Sequence, residues 1–382
     1  MRRFLVILAA VLLLGTTPGM AQDDCRITYI QAVADFMTNC RLVGSGSVCI
    51  GSGQSAIQTT SGQTLGDLGS AFPLANVSGV QVGNGDSWGL ARMDVADPRD
   101  GSKATTMILM GAVNLTFTEP ERRSSGFSFT LTGDAEPVCE GLPRPGLVIQ
   151  SPDLTLTLIS VNGVELAING TVVLHPIENG VSVSSITHET ILGQSGEVVF
   201  AGYGVDLTPD GEVTIAPYDP ANVAHLPIEV LPTIERIPVP GSASSTEQLP
   251  LHLAPDYARV ANNAYIDAGL PISVIGQNPA GDWLYVRTYD LITGWIPRGW
   301  VTLDTTGELP SFAAAPPLPT RPYGPVHAQG TTVAEGNNLR AGPGEDYEII
   351  IRVPLRTAVD IYARSPDSLW YYVALADGTR GW

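Results

Sequence analysis

Two stretches of this chain carry the same aromatic and glycine pattern at a constant spacing, and nothing else in the sequence limits the fold as tightly. Ile272, Val274, Trp283, Tyr285, Val286, Gly294 and Trp295 recur 87 residues later as Val359, Ile361, Trp370, Tyr372, Val373, Gly381 and Trp382. Leu251 and Pro255 recur 88 residues later as Leu339 and Pro343. One unlikely pattern occurring twice predicts two tandem modules of a single fold. Apolar residues alternate within each copy, as in strands whose side chains point to opposite faces. In the second copy Gly342-Pro343-Gly344 forces a turn, Ile349 to Val353 form a β-branched run, and Asp377-Gly378 marks a hairpin. Short strands and tight turns predict two small β-barrels, at residues 248–303 and 332–382.

The second copy runs from Asn338-Leu339-Arg340-Ala341-Gly342-Pro343-Gly344 to Asp377-Gly378-Thr379-Arg380-Gly381-Trp382, and at both ends it resembles the bacterial SH3 domain. The resemblance implies an SH3-like barrel that docks on the cell wall or another surface polymer. The first copy has Leu251-His252-Leu253-Ala254-Pro255 at its opening, which departs from the family pattern, so no ligand contact is expected from that loop. In the second, Arg340, Tyr347, Trp370 and Tyr372 are the candidate ligand-binding residues. Aromatic rings offer apolar area at small entropic cost and suit the faces of sugars. Trp370 and Tyr372 alternate beside a hairpin and equally suit a core; Tyr347 lies in a polar, acidic loop.

Export is the expectation at the other end. Arg2 and Arg3 precede an apolar run from Phe4 to Leu14, and Gly19-Met20-Ala21 supplies small residues for a signal peptidase cutting before Gln22. About 11 apolar residues are too few to span a bilayer, which needs about 20. The expected mature protein is secreted or held at the cell surface, and does not span the membrane. Its net charge moves from −18 to −20 once the two arginines of residues 1–21 are removed, and Lys103 is the only lysine. So acidic a chain is repelled by anionic polymers, which argues against nucleic acid as a partner.

All four cysteines, Cys25, Cys40, Cys49 and Cys139, fall in the first part of the mature chain. In an exported protein an even number predicts disulfides, here with three ways to pair. Ile27, Ile30, Ala34 and Met37 recur at helical spacing, which predicts an amphipathic helix over residues 25–39. Its ends would lie roughly 22 Å apart, whereas a disulfide holds Cα atoms within roughly 7 Å. Cys25 with Cys40 is thereby excluded. Cys40 with Cys49 and Cys25 with Cys139 is the preferred arrangement.

Between Gly51 and Gly146, strands are expected at Val80-Gln81-Val82, Thr106 to Leu109, Val113 to Phe117 and Phe127 to Leu131, giving an α+β region over residues 22–145. Residues 146–212 read more plainly. Leu154, Leu156 and Leu158 alternate with threonines, Val164, Leu166 and Ile168 alternate with polar residues, and Asn162-Gly163 between them predicts a hairpin. The pattern continues as in a β-sandwich. Val164 to Thr171 and Gly196 to Gly202 resemble two elements of the FecR-type β domain of bacterial signalling proteins. That resemblance implies a sensing or relay domain, which here reads as a scaffold. Proline-rich stretches at residues 213–247 and 304–331 are expected to act as semi-rigid spacers that hold the modules apart. Asp219-Pro220 is expected to start a short helix reaching Leu226.

The chain shows no pattern for chemistry. Gly193-Gln194-Ser195-Gly196-Glu197 lacks the last glycine of a nucleophile elbow, and the five histidines stand singly. No enzyme activity, metal or cofactor is expected. The expected function is non-catalytic binding or adhesion to peptidoglycan or another surface polymer through tandem bacterial SH3 modules. The alternative is an accessory or sensor portion of a larger cell-wall hydrolase or signalling protein whose working domain lies outside this chain. The first copy continues past Trp295 through Ile296 to Val301, so a last strand is expected to be missing after Trp382.

Overall fold

The structure is a computed structural model, and it describes residues 19–40, 43–52, 55–84, 87–96, 104–118, 127–134, 136–152, 155–209, 213–233, 236–257, 260–312, 328–333, 337–340, 349–364, 370–376 and 379–382. Most of the predicted signal segment, the turn at residues 342–344, Tyr347 and the Asp377-Gly378 hairpin lie outside these residues. The described chain is mainly β, with one α-helix, Gly19–Asn39. The expected cut before Gln22 falls inside the first turns of that helix.

Strands between Ser47 and Pro217 assort into two nine-stranded sheets that enclose one apolar cluster, from Val48 to Leu207. The division expected at residue 145 interrupts neither sheet. Gly146–Gln150 lies between Ala104–Gly111 and Thr171–Ile177 in the first sheet, and Phe127–Gly133 runs parallel to Thr157–Val161 in the second. Turn residues mark where hairpins bend, but they do not tell which distant strand a hairpin's outer edge will join.

The elements that resemble the FecR-type domain sit where the chain changes sheet. Val164–Asn169 belongs to the second sheet and Thr171–Ile177 to the first, with Gly170 at φ +94° between them. Val198–Phe200 and Tyr203–Leu207 repeat the crossing through Ala201-Gly202, again at φ +94°. A Cβ on Gly170 would meet the Thr187 carbonyl at 2.6 Å, and one on Gly202 the Gly241 carbonyl at 2.0 Å. Only glycine takes this backbone conformation in so little space.

Two expectations about side-chain direction and one about a helix need correction. Leu156 and Leu158 are each 50 % exposed, because the strand Thr157–Val161 turns Thr157, Ile159 and Val161 inward. Thr157 is satisfied there by the hydroxyls of Thr105 and Ser151, so the polar residue can occupy the core face. On the helix, Ile27, Ile30 and Ala34 face outward, while Ala32 and Phe36 are buried. The disulfides decide this: Cys25 is bonded to Cys139 and Cys40 to Cys49, which turns the stripe through Cys25, Ala32, Phe36 and Cys40 onto the sheet. The expected helix after Asp219 is a single 3-10 turn, Pro220–Asn222, with the Asp219 carboxylate accepting from the Ala221 N–H.

Nor is the first proline-rich stretch a spacer. Tyr218, Val223, Leu226, Val230 and Leu231 are buried with Phe36, Trp88, Ile108 and Val173 on the outer face of the first sheet. The Tyr218 hydroxyl donates to the Pro238 carbonyl. The apolar residues between the prolines have a sheet face to cover, and burying them outweighs the extended preference of proline.

The repeated stretches follow. In residues 241–305 the sheet order is Val260–Ile266, Leu249–His252, Thr293–Pro297, Trp283–Arg287, Ser273–Gln277, with Gly241–Ser244 paired to Thr302–Thr305. In residues 328–382 one sheet runs Ala328–Thr331, Ala358–Arg364, Tyr371–Ala374, Arg380–Gly381, beside the pair Asn337–Arg340 and Ile349–Val353. The registers correspond. Val286 faces Gly294 as Val373 faces Gly381, and a bulge between Val274 and Gly276 recurs between Ile361 and Ala363. His252 pairs with Trp295, and Arg340 exchanges backbone hydrogen bonds with Trp382.

Candidate functional site

Among the described residues a serine, a histidine and an aspartate come into register once. His175 faces Ser182, and Ser182 faces Asp206, across three strands of the first sheet. They border a cleft also lined by Arg144 and Asn222. His175 Nδ1 lies 2.9 Å from the Pro145 carbonyl and Nε2 2.7 Å from the Asn222 carbonyl. Both ring nitrogens point at these backbone oxygens and not at Ser182, so the ring is not placed to take a proton from it, as nucleophilic catalysis requires. No group of three His, Cys, Asp or Glu side chains among the described residues is arranged to hold a metal ion.

The aromatic surface of the repeated modules is better built for recognition. In the second module Trp370 and Tyr372 come together in a cluster with Tyr362 and Trp382. Tyr372 is 7 % exposed and packs at a tilt against Trp382 with ring centroids 5.3 Å apart, so it serves the interior more than a ligand. Burial raises its phenol pKa, and Arg380 pulls it the other way. Trp370 and Arg340 are half-buried, and Arg340 sits on the strand bonded to Trp382. In the first module Tyr285 and Trp295 repeat the tilted contact at 5.2 Å.

The first module carries a more open patch, to which the stretch Leu251–Pro255 contributes only His252. His252 and Trp283 form its floor, 2 % and 4 % exposed, with rings 5.0 Å apart and edge to face. Tyr257 lies 4.8 Å from Trp283, and Trp300 lies 5.8 Å from Tyr257. These upper rings are 61 % and 39 % exposed. Trp300 ends the 3-10 turn Arg298–Trp300, which the Arg298 N–H anchors to the Asp282 carbonyl. Tyr257 follows Asp256, whose carbonyl accepts from His252 Nδ1 at 3.0 Å. Burial holds the His252 imidazole below its ordinary value, against the opposing pull of Asp256. A neutral ring with Nδ1–H donating leaves Nε2 as a lone pair, buried without a hydrogen-bond partner beneath the aromatics.

Two exposed rings, tilted to each other over a buried aromatic floor, make an amphipathic surface of the type suited to flat apolar faces, such as the C–H face of a sugar or the plane of a peptide. Sequence spacing passed over it because Tyr257 and Trp300 lie outside the repeated positions. The one available signal was Trp300 itself, a tryptophan behind Gly299 in a turn rather than in a strand.

The described chain is β-rich and disulfide-linked, and its last part repeats one small β module. Residues 333–382 match the family model of the bacterial SH3 domain, a cell-wall-binding module. No curated protein matches the chain. Among solved structures, one described as a candidate anti-sigma factor from Parabacteroides distasonis aligns at 13 % identity over 37 % of this chain and 60 % of that chain. Its TM-score is 0.25, too low to establish a shared fold.

Proposed function

We propose that this is an exported, non-catalytic protein that binds peptidoglycan or another surface polymer through two bacterial SH3 modules, residues 241–305 and 328–382. The observation that carries the reading is the Tyr257–Trp283–Trp300 patch, a partly exposed aromatic cluster on a module whose registers repeat those of the family-matched one. The acidic chain favours a polymer read by stacking over one read by charge. The disulfides are consistent with life outside the cytoplasm. The two-sheet body is the scaffold on which the first module is mounted.

Co-sedimentation with purified peptidoglycan tests this. Wild-type protein is expected in the pellet, and a Tyr257→Ala, Trp300→Ala double variant in the supernatant. Wild-type protein that stays in the supernatant would overturn the reading.

A further inference from the structure

The strand Gly180–Ser185 alternates valine with serine. Val181 and Val183 enter the core between the two sheets, which leaves Ser182 and Ser184 on the outer face, 7 % and 0 % exposed. Elsewhere that face is apolar, with Ile108 and Val173 buried beneath the helix and the connector. The serines instead floor the cleft beside His175, which has a volume of about 490 Å³. Buried hydroxyls are ordinarily bonded, at distances of about 2.7–3.2 Å. Here the Asn222 amide nitrogen lies 3.5 Å from both Oγ atoms, at the far limit of a hydrogen bond. Asn222 is itself 9 % exposed, and its Oδ1 accepts from Arg144 Nη1 at 2.6 Å, which turns its N–H groups toward the serines. Hydroxyls and an amide spaced this widely over a concave floor suit oxygen atoms of a small ligand better than they suit one another.

Charge is segregated along the same floor. Arg144 stands at the Asn222 end, where its Nη2 also reaches the outlying Glu136 at 3.1 Å. Asp206 stands one strand beyond Ser182, in register with it and exposed. A simple anion would be repelled by Asp206 and a simple cation by Arg144, whereas a molecule that carries both charges is favoured at both ends. Paired strands lie only about 4.8 Å apart, so the two charges of the ligand must be close together. In an α-amino acid the ammonium and the carboxylate are attached to one carbon. Ile177, Pro217 and the ring of Tyr218 line the remaining wall and suit an apolar side chain. We propose that this cleft binds a free α-amino acid with an apolar side chain. Its carboxylate lies on Arg144, Asn222 and the two serines, and its ammonium on Asp206. The site is separate from the aromatic patch and does not depend on what the modules bind.

Isothermal titration calorimetry of the full chain tests this with L-leucine, with isocaproate, which lacks the ammonium, and with isoamylamine, which lacks the carboxylate. Leucine is expected to bind with a Kd on the order of 100 µM, and each of the other two at least about tenfold more weakly. Asp206→Asn replaces an exposed carboxylate with an amide of the same shape, so the fold should tolerate it. It should weaken leucine at least about tenfold while isocaproate binds no more weakly than before. Arg144→Gln should abolish leucine binding, and Arg144→Lys, which keeps the charge without the planar fork, should recover part of it. Wild-type protein that takes up no leucine at about 10 mM would overturn the proposal. So would either half-molecule binding as tightly as leucine, or an Asp206→Asn chain that binds leucine as the wild type does.

Discussion

Trp283 and Trp300 stand in one aromatic patch, yet the first is 4 % exposed and the second 39 %. Truncating Trp283 should leave a cavity beneath His252 and Tyr257 and destabilise the protein by about 3–5 kcal/mol. Trp300→Ala should cost under about 1 kcal/mol of stability while weakening polymer binding about tenfold, so chemical denaturation and co-sedimentation separate the two roles. Histidines add a pH dependence. Burial holds His188 and His252 below their ordinary value of 6.5, His188 with neither ring nitrogen hydrogen-bonded. Around His188, Glu189 and Asp290 favour protonation and Arg287 opposes it. Below 6.5, down to the depressed folded values, the unfolded chain binds more protons than the folded one, so stability rises with pH across that window. Thermal melts should show a lower Tm at about pH 5 than at about pH 7. His188→Asn should flatten the dependence, since asparagine also tolerates the φ of +53° at this position.

How much of each element could be read beforehand depended on whether its cause is local. The Asn162-Gly163 hairpin and the repeat at residues 272–295 and 359–382 rest on turn chemistry and alternation, which a short window of sequence contains. Which face is buried in Thr157–Val161 depends on Thr105, Ser151 and strands far along the chain, and Leu156 and Leu158 misled for that reason. The helix face was misread in the same way, because two disulfides to distant residues outweighed the spacing of Ile27 and Ile30. Tyr257 and Trp300 meet only once the strands of the first module come together. Sheet-crossing glycines lie between these cases: Asn169-Gly170-Thr171 and Ala201-Gly202 are visible as motifs, but their purpose appears only with both sheets in place. Gly202→Ala would put a methyl group 2.0 Å from the Gly241 carbonyl at φ +94°, where the first module joins the body. A loss of about 2–4 kcal/mol is expected from urea denaturation.

The connector and the first module belong to the two-sheet body. Gly241 N–H donates to the Gly202 carbonyl at 2.7 Å, and the Tyr203 hydroxyl reaches Ser242 and Asp304. Arg287, 3 % exposed, donates Nη2 to the Ile186 carbonyl at 2.6 Å and Nη1 to the Arg236 carbonyl at 3.1 Å. The residues after the module close it further: Phe312 packs on Tyr285, and the Gln277 N–H donates to the Pro310 carbonyl. Residues 19–312 should therefore unfold together. No strand pairing among the described residues joins 328–382 to what precedes it, so that module should melt on its own. Calorimetry of the full chain should then show a small transition of roughly 35 kcal/mol and a large one of roughly 200 kcal/mol, in proportion to the residues each contains. Arg287 is the group that most directly couples body and module, because its guanidinium is buried and a shorter side chain leaves two carbonyls without donors. In Arg287→Ala the large transition should split in two, the first module melting below the body. If it stays single, docking rests on the Gly202–Gly241 approach and the Tyr203 contacts, and the Gly202→Ala variant should split it instead.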